Sequence, residues 1–137
     1  MEKLFISATK STPEIRFSPD ENQFLIQGIS SPEDVRALYY PVIAWFKRFS
    51  SAILNHNITI FSEKNPLRFN IDLSYFNSSS AKFLYDILME LRMLQSEGYP
   101  SVITWQYEES DPEMRDAGAD IAEIAGMVFS FQAKAGE

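Results

Sequence analysis

The chain has 137 residues, 45% of them hydrophobic, and a formal net charge of −7, which suits one globular domain and excludes an intrinsically disordered chain. It contains no cysteine, which excludes disulfide bonds, thiolate metal sites and a cysteine nucleophile. The acidic balance argues against nucleic-acid binding, because contact with backbone phosphates requires a clustered basic surface.

The first part of the chain predicts three short strands, at residues 3–8, 14–17 and 23–27. Turn residues at 19–22 lie between the second and third strands, so we expect a β-hairpin there. Gly28 is expected to close the third strand. No basic segment followed by a long apolar one occurs near the start, and no apolar run is long enough to span a bilayer. We therefore expect a soluble, cytoplasmic protein with no membrane partner.

The first helix is predicted to begin at Ser31-Pro32, because a hydroxyl cap is followed by a proline and then by acids. Its apolar residues recur at helical spacing: Val35, Leu38, Val42, Trp45, Phe46 and Phe49. Pro41 lies inside this pattern and is expected to kink the helix or to end its first part. The next segment gives a weaker signal. Residues 58–61 are either a short strand or part of a helix tail and loop, and 62–66 are predicted to form a turn.

Residues 67–74 alternate between apolar and polar side chains, as in a half-buried strand. A helix from about 79 to 97 follows, with a broad apolar stripe on one face. Gly98 occupies the usual position after its end.

Between this strand and this helix lies a polar turn. Asn77 is a good helix cap, because its side-chain oxygen can accept hydrogen bonds from the free amides of the first turn. Ser78, Ser79 and Ser80 then lie where those amides and the helix dipole favour an anion, so a phosphate on one of them would be tolerated. The residues alone favour a simpler interpretation, a polar cap, since such residues are the usual ones at helix starts.

The last part predicts a strand at 102–107, a third helix that begins at Asp111-Pro112, and a final strand at 127–131. Helices that alternate with strands indicate parallel strands joined by crossover helices. We therefore expect a single α/β domain over 1–137, with a mixed β-sheet, an N-terminal hairpin and crossover helices.

Few residues offer catalytic chemistry. His56 is the only histidine and lies in the least structured segment, where a surface position is the usual outcome. No glycine-rich phosphate-binding loop is present, and no cofactor is expected. The best enzymatic alternative is a small hydrolase or metal-dependent enzyme that uses the acidic segment 108–123. Its carboxylates are Glu108, Glu109, Asp111, Glu113, Asp116, Asp120 and Glu123. A solvated helix face explains the same acids more simply.

Short motifs follow one another along most of the chain. In the N-terminal half they are Ser11-Thr12-Pro13-Glu14-Ile15, Gly28, Ser30, Pro32-Glu33, Tyr40-Pro41-Val42 and Trp45. In the remainder they are Tyr75-Phe76-Asn77-Ser78-Ser79-Ser80, Lys82, Trp105, Tyr107-Glu108-Glu109, Asp111, Glu113-Met114, Gly118 and Asp120. Each motif alone is weak evidence, but their order and spacing are fairly specific. By these motifs the chain resembles the SiaC family of bacterial regulatory phosphoproteins.

This resemblance implies a STAS-like fold, similar to that of anti-sigma-factor antagonists, and a switch rather than an enzyme. A serine/threonine kinase would phosphorylate the hydroxyl residue after the asparagine, and a PPM-type phosphatase would remove the phosphate. The unmodified form would bind and activate a diguanylate cyclase, so that cyclic di-GMP output and biofilm behaviour follow the phosphorylation state. Matching the motif places the phosphoacceptor at Ser78. Ser79 is a competitor, because the family usually has threonine at the first of these positions.

The chain also departs from the family pattern at Ser31, where an aromatic residue is expected, and in a longer 50–66 segment. The leading interpretation is a non-enzymatic signalling protein switched at Ser78, on a turn that Asn77 caps and that continues into Ser79 and Ser80. The alternatives are the carboxylate enzyme and a constitutive interaction module in which the polar turn is only a cap.

Overall fold

The computed structural model describes residues 1–135, which form a six-stranded β-sheet and three helices. The elements are β1 Leu4–Ile6, β2 Glu14–Ser18, β3 Gln23–Ser30, α1 Val35–Leu54, β4 Leu67–Phe76, α2 Ser78–Ser96, β5 Ser101–Glu108, α3 Pro112–Ala125 and β6 Ser130–Lys134. Their order confirms the predicted one. Gly136 and Glu137, which the expected domain includes, lie outside the described residues. Within 1–135 no helix is long and apolar enough to cross a membrane.

The strands lie in the sheet in the order in which they occur in the sequence. β1, β2 and β3 pair antiparallel, and Ser18 opposite Gln23 closes the predicted hairpin. β3, β4, β5 and β6 are parallel neighbours, each joined to the next through one helix. Because such crossovers are right-handed and all step in one direction, the three helices cover the same face of the sheet. The predicted mixed sheet with crossover helices is confirmed.

The core lies between the helices and this face of the sheet. Along β4, Leu67, Phe69, Ile71 and Leu73 are buried, whereas the residues between them are more exposed, as the two-residue period of a strand requires. An aromatic cluster fixes α1 on β2 and β3, with neighbouring ring centroids 5.1 to 6.4 Å apart. Its members are Phe17, Phe24, Trp45, Phe46 and Phe49.

β4 and β5 separate at their carboxyl ends. Their pairing ends with Ile71 opposite Trp105, but β4 continues beside β3 as far as Phe76. α2 begins only two residues later, so its first turn lies at the carboxyl edge of the sheet. Open α/β sheets bind their ligands at this edge, and here it carries the serine turn.

The first helix begins later than the sequence predicts. Its N-cap is Asp34, whose carboxylate accepts from the amide of Ala37 at 3.1 Å, so the expected start at Ser31 was wrong. Ser31 instead donates its amide to the carbonyl of Ser11 at 2.7 Å, a long-range contact that holds it outside the helix. Pro41 does not end α1 either. It lies on the exposed side of the helix, where solvent can compensate for the missing hydrogen bond.

The third strand continues past Gly28 instead of closing there. Gly28 has a φ of 115°, and the register shifts after it before β3 ends at Ser30. Residues 58–61 are not a strand, so the second alternative, a helix tail followed by a loop, is confirmed. The predicted turn at 62–66 is also confirmed, because the amide of Asn65 donates to the carbonyl of Ser62 at 3.1 Å.

The final strand also begins later than predicted. Residues 127–129 lie outside β6, and Met127 instead takes part in the end of α3. The amide of Met127 donates to the carbonyl of Ala122 at 3.0 Å, just after the left-handed Gly126. Met127 and Phe129 are buried in the core without pairing in the sheet, whereas Val128 between them is exposed.

Candidate functional site

The serine turn is capped as the sequence predicts. The side-chain oxygen of Asn77 accepts a hydrogen bond from the amide of Ser80 at 2.9 Å. The backbone amide of Asn77 donates to the carbonyl of Ser30 at 3.0 Å. α2 begins at Ser78, one residue before the expected start. Asn77 therefore ties the turn to β3 and satisfies a free amide of the helix start at the same time.

The three consecutive serines have different environments. Ser78 and Ser79 are exposed, so their hydroxyl groups are open to a partner. Ser80 is fully buried, and its hydroxyl donates to the carbonyl of Ser30 at 3.0 Å. An enzyme cannot reach the Ser80 hydroxyl in this conformation, which leaves Ser78 and Ser79 as the accessible serines of the turn.

The electrostatic surroundings of these two serines favour an added negative charge. α2 has no acidic residue in its first turn, so the positive end of its dipole is not compensated there. Ser79 borders a groove of about 300 Å³ between α1 and α2, which Arg36 and Lys82 also line. Lys82 Nζ lies 2.8 Å from the carboxylate of Asp86, which offsets part of this positive charge. The electrostatic surroundings of the turn are therefore compatible with an added phosphate.

Large hydrophobic side chains around the serine turn are uncovered. Tyr75 and Ile29 are neighbours across β4 and β3 and are 52% and 38% exposed. Tyr40, on α1, is 57% exposed and lines the groove that Ser79 borders. Tyrosine is enriched at the centres of protein interfaces, so these side chains are suited to a protein partner. We call Ile29, Tyr40, Tyr75, Ser78 and Ser79 together the turn surface.

The carboxylates of the alternative enzyme site do not converge. Asp111 is the N-cap of α3, and its carboxylate accepts from the amide of Met114 at 3.2 Å. Asp116 and Asp120 are exposed on that helix, which agrees with the interpretation as a solvated face. No group of three or more acidic or histidine side chains that could hold a metal ion occurs within residues 1–135. His56 is exposed in the loop after α1, as predicted.

One polar pair on the sheet is not evident from the sequence. Lys134 on β6 reaches across β5, and its Nζ lies 2.7 and 2.9 Å from the carboxylate oxygens of Asp72 on β4. The hydrogen bond to this carboxylate raises the pKa of Lys134, against a smaller opposing effect of burial. The pair borders a cavity of about 360 Å³ at the carboxyl edge of the sheet. The two residues are 62 positions apart, and only the strand register brings them onto one face.

Comparison with known sequences places the chain in a family. The sequence model of the SiaC family regulatory phosphoproteins matches residues 6–134. An uncharacterized protein of Pseudomonas aeruginosa (strain UCBPP-PA14) is 29% identical over 133 residues, which cover 97% of this chain and 98% of that protein.

Solved structures agree with this assignment. The crystal structure of apo-SiaC from Pseudomonas aeruginosa matches with a TM-score of 0.78 and 30% identity, over 97% of this chain and 100% of that chain. A chain in the crystal structure of the diguanylate cyclase SiaD in complex with its activator SiaC, from the same organism, matches with a TM-score of 0.80 and 29% identity. That match covers 96% of this chain and 99% of the other. The motifs, the sheet topology and these matches agree, and the chain belongs to the SiaC family of regulatory phosphoproteins.

Proposed function

We propose that this protein is a non-enzymatic switch that activates a diguanylate cyclase when its serine turn is unmodified and releases the cyclase when Ser78 is phosphorylated. Membership of the family supports a regulatory phosphoprotein. The similarity to the activator in the SiaD complex supports a cyclase as the partner. The observation that carries the proposal is the exposed hydroxyl group of Ser78 at the start of α2, beside the uncovered hydrophobic side chains of the turn surface.

A phosphate on Ser78 would act on the partner rather than on the fold. It adds about 1.5 to 2 negative charges and three strong hydrogen-bond acceptors. At the first residue of α2 the helix amides and dipole favour this charge, so the free protein keeps its structure. A partner packed against Tyr40 and Tyr75 would have to bury the same charge without a matching cation. Binding is therefore lost by local repulsion and desolvation, without refolding.

We propose Ser78 as the acceptor and keep Ser79 as its competitor. Ser78 follows the capping Asn77 directly and is the first residue of α2. Ser79 is also exposed, but it borders the groove that contains Arg36 and Lys82. A phosphate on Ser79 would be paired with these cations and would repel an approaching partner less strongly. The site at Ser78 therefore gives the stronger switch.

Two enzymes complete the proposed cycle. A serine/threonine kinase transfers a phosphate to Ser78, and a PPM-type phosphatase hydrolyses it. Cyclic di-GMP output, and with it biofilm formation, then follows the balance between these two activities. We place this cycle in the cytoplasm and assign no cofactor to the protein itself.

Mass spectrometry of the protein isolated from its native cells tests the acceptor. We expect one phosphate, assigned to Ser78 by fragmentation and absent after phosphatase treatment. Phosphate on Ser79 alone would correct the acceptor and leave the mechanism in place. If no phosphate appeared under any growth condition, a constitutive interaction module would be the better description.

Substitutions test the consequence for the cyclase. Ser78→Asp places a fixed negative charge on the turn surface and is expected to reduce the apparent affinity for the cyclase about tenfold or more. Ser78→Ala is expected to activate the cyclase normally and to be insensitive to the kinase. Ser79→Ala is the matched control, which should activate normally and remain sensitive to the kinase. Full activation by Ser78→Asp together with kinase sensitivity of Ser78→Ala would contradict the proposal.

A further inference from the structure

A series of buried hydroxyl groups connects the serine turn to the first helix. Tyr39 Oη lies 2.7 Å from Ser30 Oγ, which lies 2.8 Å from Ser80 Oγ. Ser80 Oγ in turn lies 3.0 Å from the carbonyl oxygen of Ser30. All three residues are fully buried. They come from three different elements, because Ser30 ends β3, Tyr39 belongs to α1 and Ser80 lies in the first turn of α2.

The direction of each hydrogen bond follows from the number of protons. Each hydroxyl group has one proton to donate. Ser80 donates to the carbonyl of Ser30, and the hydroxyl of Ser30 donates to Ser80. The proton between Tyr39 and Ser30 must therefore come from Tyr39. Burial raises the pKa of Tyr39, which keeps it in this protonated form. Each of the three hydroxyl groups therefore donates one hydrogen bond, as is usual for buried polar groups.

The same series holds the start of α2 from two sides. The carbonyl of Ser30 accepts both the hydroxyl of Ser80 and the backbone amide of Asn77, each at 3.0 Å. The ring of Tyr39 stacks on Phe83 of α2, with centroids 5.4 Å apart and planes 5° apart. The first turn of α2 is therefore fixed to β3 by hydrogen bonds and to α1 by Tyr39.

We propose that Ser30, Tyr39 and Ser80 form a hydroxyl latch that fixes the first turn of α2 and keeps Ser80 out of reach of the kinase, so that only the exposed Ser78 and Ser79 can accept a phosphate. This inference rests on the proposed function, because it concerns which serine the kinase can modify. With the latch closed, the hydroxyl of Ser80 is inside the protein and that of Ser78 is outside. With the latch open, the turn frays, since helix ends unfold locally when their tertiary bonds are lost. Ser80 then becomes an acceptor as well.

Tyr39→Phe breaks the link between the latch and α1 with little other change, because it removes only the donor hydroxyl and keeps the ring on Phe83. Hydrogen exchange of the unphosphorylated protein measures how often the first turn of α2 opens. The relevant amides are those of positions 80 and 81, which both donate to Asn77. Exchange at these amides is expected to become about fivefold faster, as for the loss of one typical hydrogen bond. The amide of Met114, at the separately capped start of α3, should keep its wild-type rate.

Two further variants test whether the faster exchange is specific to the latch. Ser80→Ala removes the opposite end of the latch and leaves the hydroxyl of Ser30 without its acceptor, so it should accelerate exchange at the turn at least as much. Tyr85→Phe makes the same chemical change at a half-buried tyrosine of α2 outside the latch. It is the matched control and should leave exchange at the turn unchanged.

Fragment mass spectrometry of the variants from native cells then identifies which serine is phosphorylated. Phosphate is expected on Ser78 and not on Ser80 in the wild-type protein and in Tyr85→Phe, and partly on Ser80 in Tyr39→Phe. Unchanged exchange at the turn in both Tyr39→Phe and Ser80→Ala would overturn the latch. Faster exchange in Tyr39→Phe with no phosphate on Ser80 would overturn the role of the latch in acceptor choice. A wild-type protein without phosphate would refute the proposed function, whereas exchange would still decide whether the latch holds the turn.

Discussion

Neighbouring side chains of one type have different environments in the serine turn. The hydroxyl of Ser80 points into the protein and bonds to Ser30, whereas Ser78 and Ser79 are exposed. Asn77 makes this division possible, because its side chain holds the amide of Ser80 while its backbone amide holds β3. The geometry of one cap thus determines which hydroxyl groups reach the surface.

Removal of this cap is expected to cost stability. Asn77→Ala leaves the amide of Ser80 without its acceptor and should lower the free energy of unfolding by about 1 kcal/mol. Urea unfolding followed by circular dichroism measures the change. Asn77→Asp keeps a side-chain oxygen at the cap and is expected to stay close to the wild-type value. If Asn77→Ala were as stable as Asn77→Asp, the cap would not contribute as described.

The sequence predicts the cap correctly but not the burial of Ser80. Capping depends on residues that are adjacent in the chain, so Asn77 and the serines are sufficient to identify it. The burial of Ser80 depends on Ser30, which is 50 positions away, and on the point at which β3 ends. A local sequence pattern cannot predict a contact between residues so far apart in the chain. The pairing of Lys134 with Asp72 could not be predicted for the same reason.

At the scale of elements, the packing of α3 on β5 depends on one glycine. A β-carbon at Gly118 would lie 2.5 Å from the indole ring of Trp105. That ring is fully buried, and its Nε1 donates to the carbonyl of Met114 at 3.0 Å. The indole therefore cannot move away without losing a buried hydrogen bond. The close approach of helix and strand explains why a helix interior contains a residue with poor helix propensity.

Gly118→Ala is accordingly expected to lower the free energy of unfolding by about 1 to 3 kcal/mol, the usual cost of overpacking a core. Alanine is otherwise the better helix former, so the sign of the change is informative. Chemical denaturation measures it. Asp120→Ala, at an exposed position of the same helix, is the control and should change stability by less than about 0.5 kcal/mol. A stabilised Gly118→Ala variant would contradict the packing described.

The order of the elements is predictable because each has its own hydrophobic period and turn residues. The predicted boundaries of helices and strands are wrong where a contact from elsewhere in the fold competes with a local sequence signal. Ser31 has the residue type of a cap, but its amide is bonded to Ser11, and the helix begins after Asp34. Met127 belongs to an apolar run that suggests a strand, but its amide ends α3.

At the scale of the whole molecule, the turn surface combines parts of four elements. β3 and β4 present Ile29 and Tyr75, α1 presents Tyr40, and α2 presents the two exposed serines. The sheet topology brings these elements together at the carboxyl edge. Ser78 therefore lies at the same edge of the sheet as these exposed side chains.

The two exposed tyrosines are expected to anchor the cyclase. Tyr40→Ala and Tyr75→Ala should each weaken the complex about tenfold or more, because large aromatic side chains dominate interface energetics. Isothermal titration calorimetry measures the affinity. Val128→Ala removes a side chain that is 93% exposed, just before β6 at the opposite edge of the sheet, and should bind normally. Equal affinities for all three variants would place the interface elsewhere.

The most direct test compares the affinity of two forms of one protein for a diguanylate cyclase from the same organism. One form is unmodified, and the other carries a single phosphate on Ser78, confirmed by fragment mass spectrometry. The account predicts that the phosphate weakens binding about a hundredfold or more, because the charge is buried without a counterion. Phosphatase treatment should restore the original affinity. Equal affinity of the two forms would contradict the account.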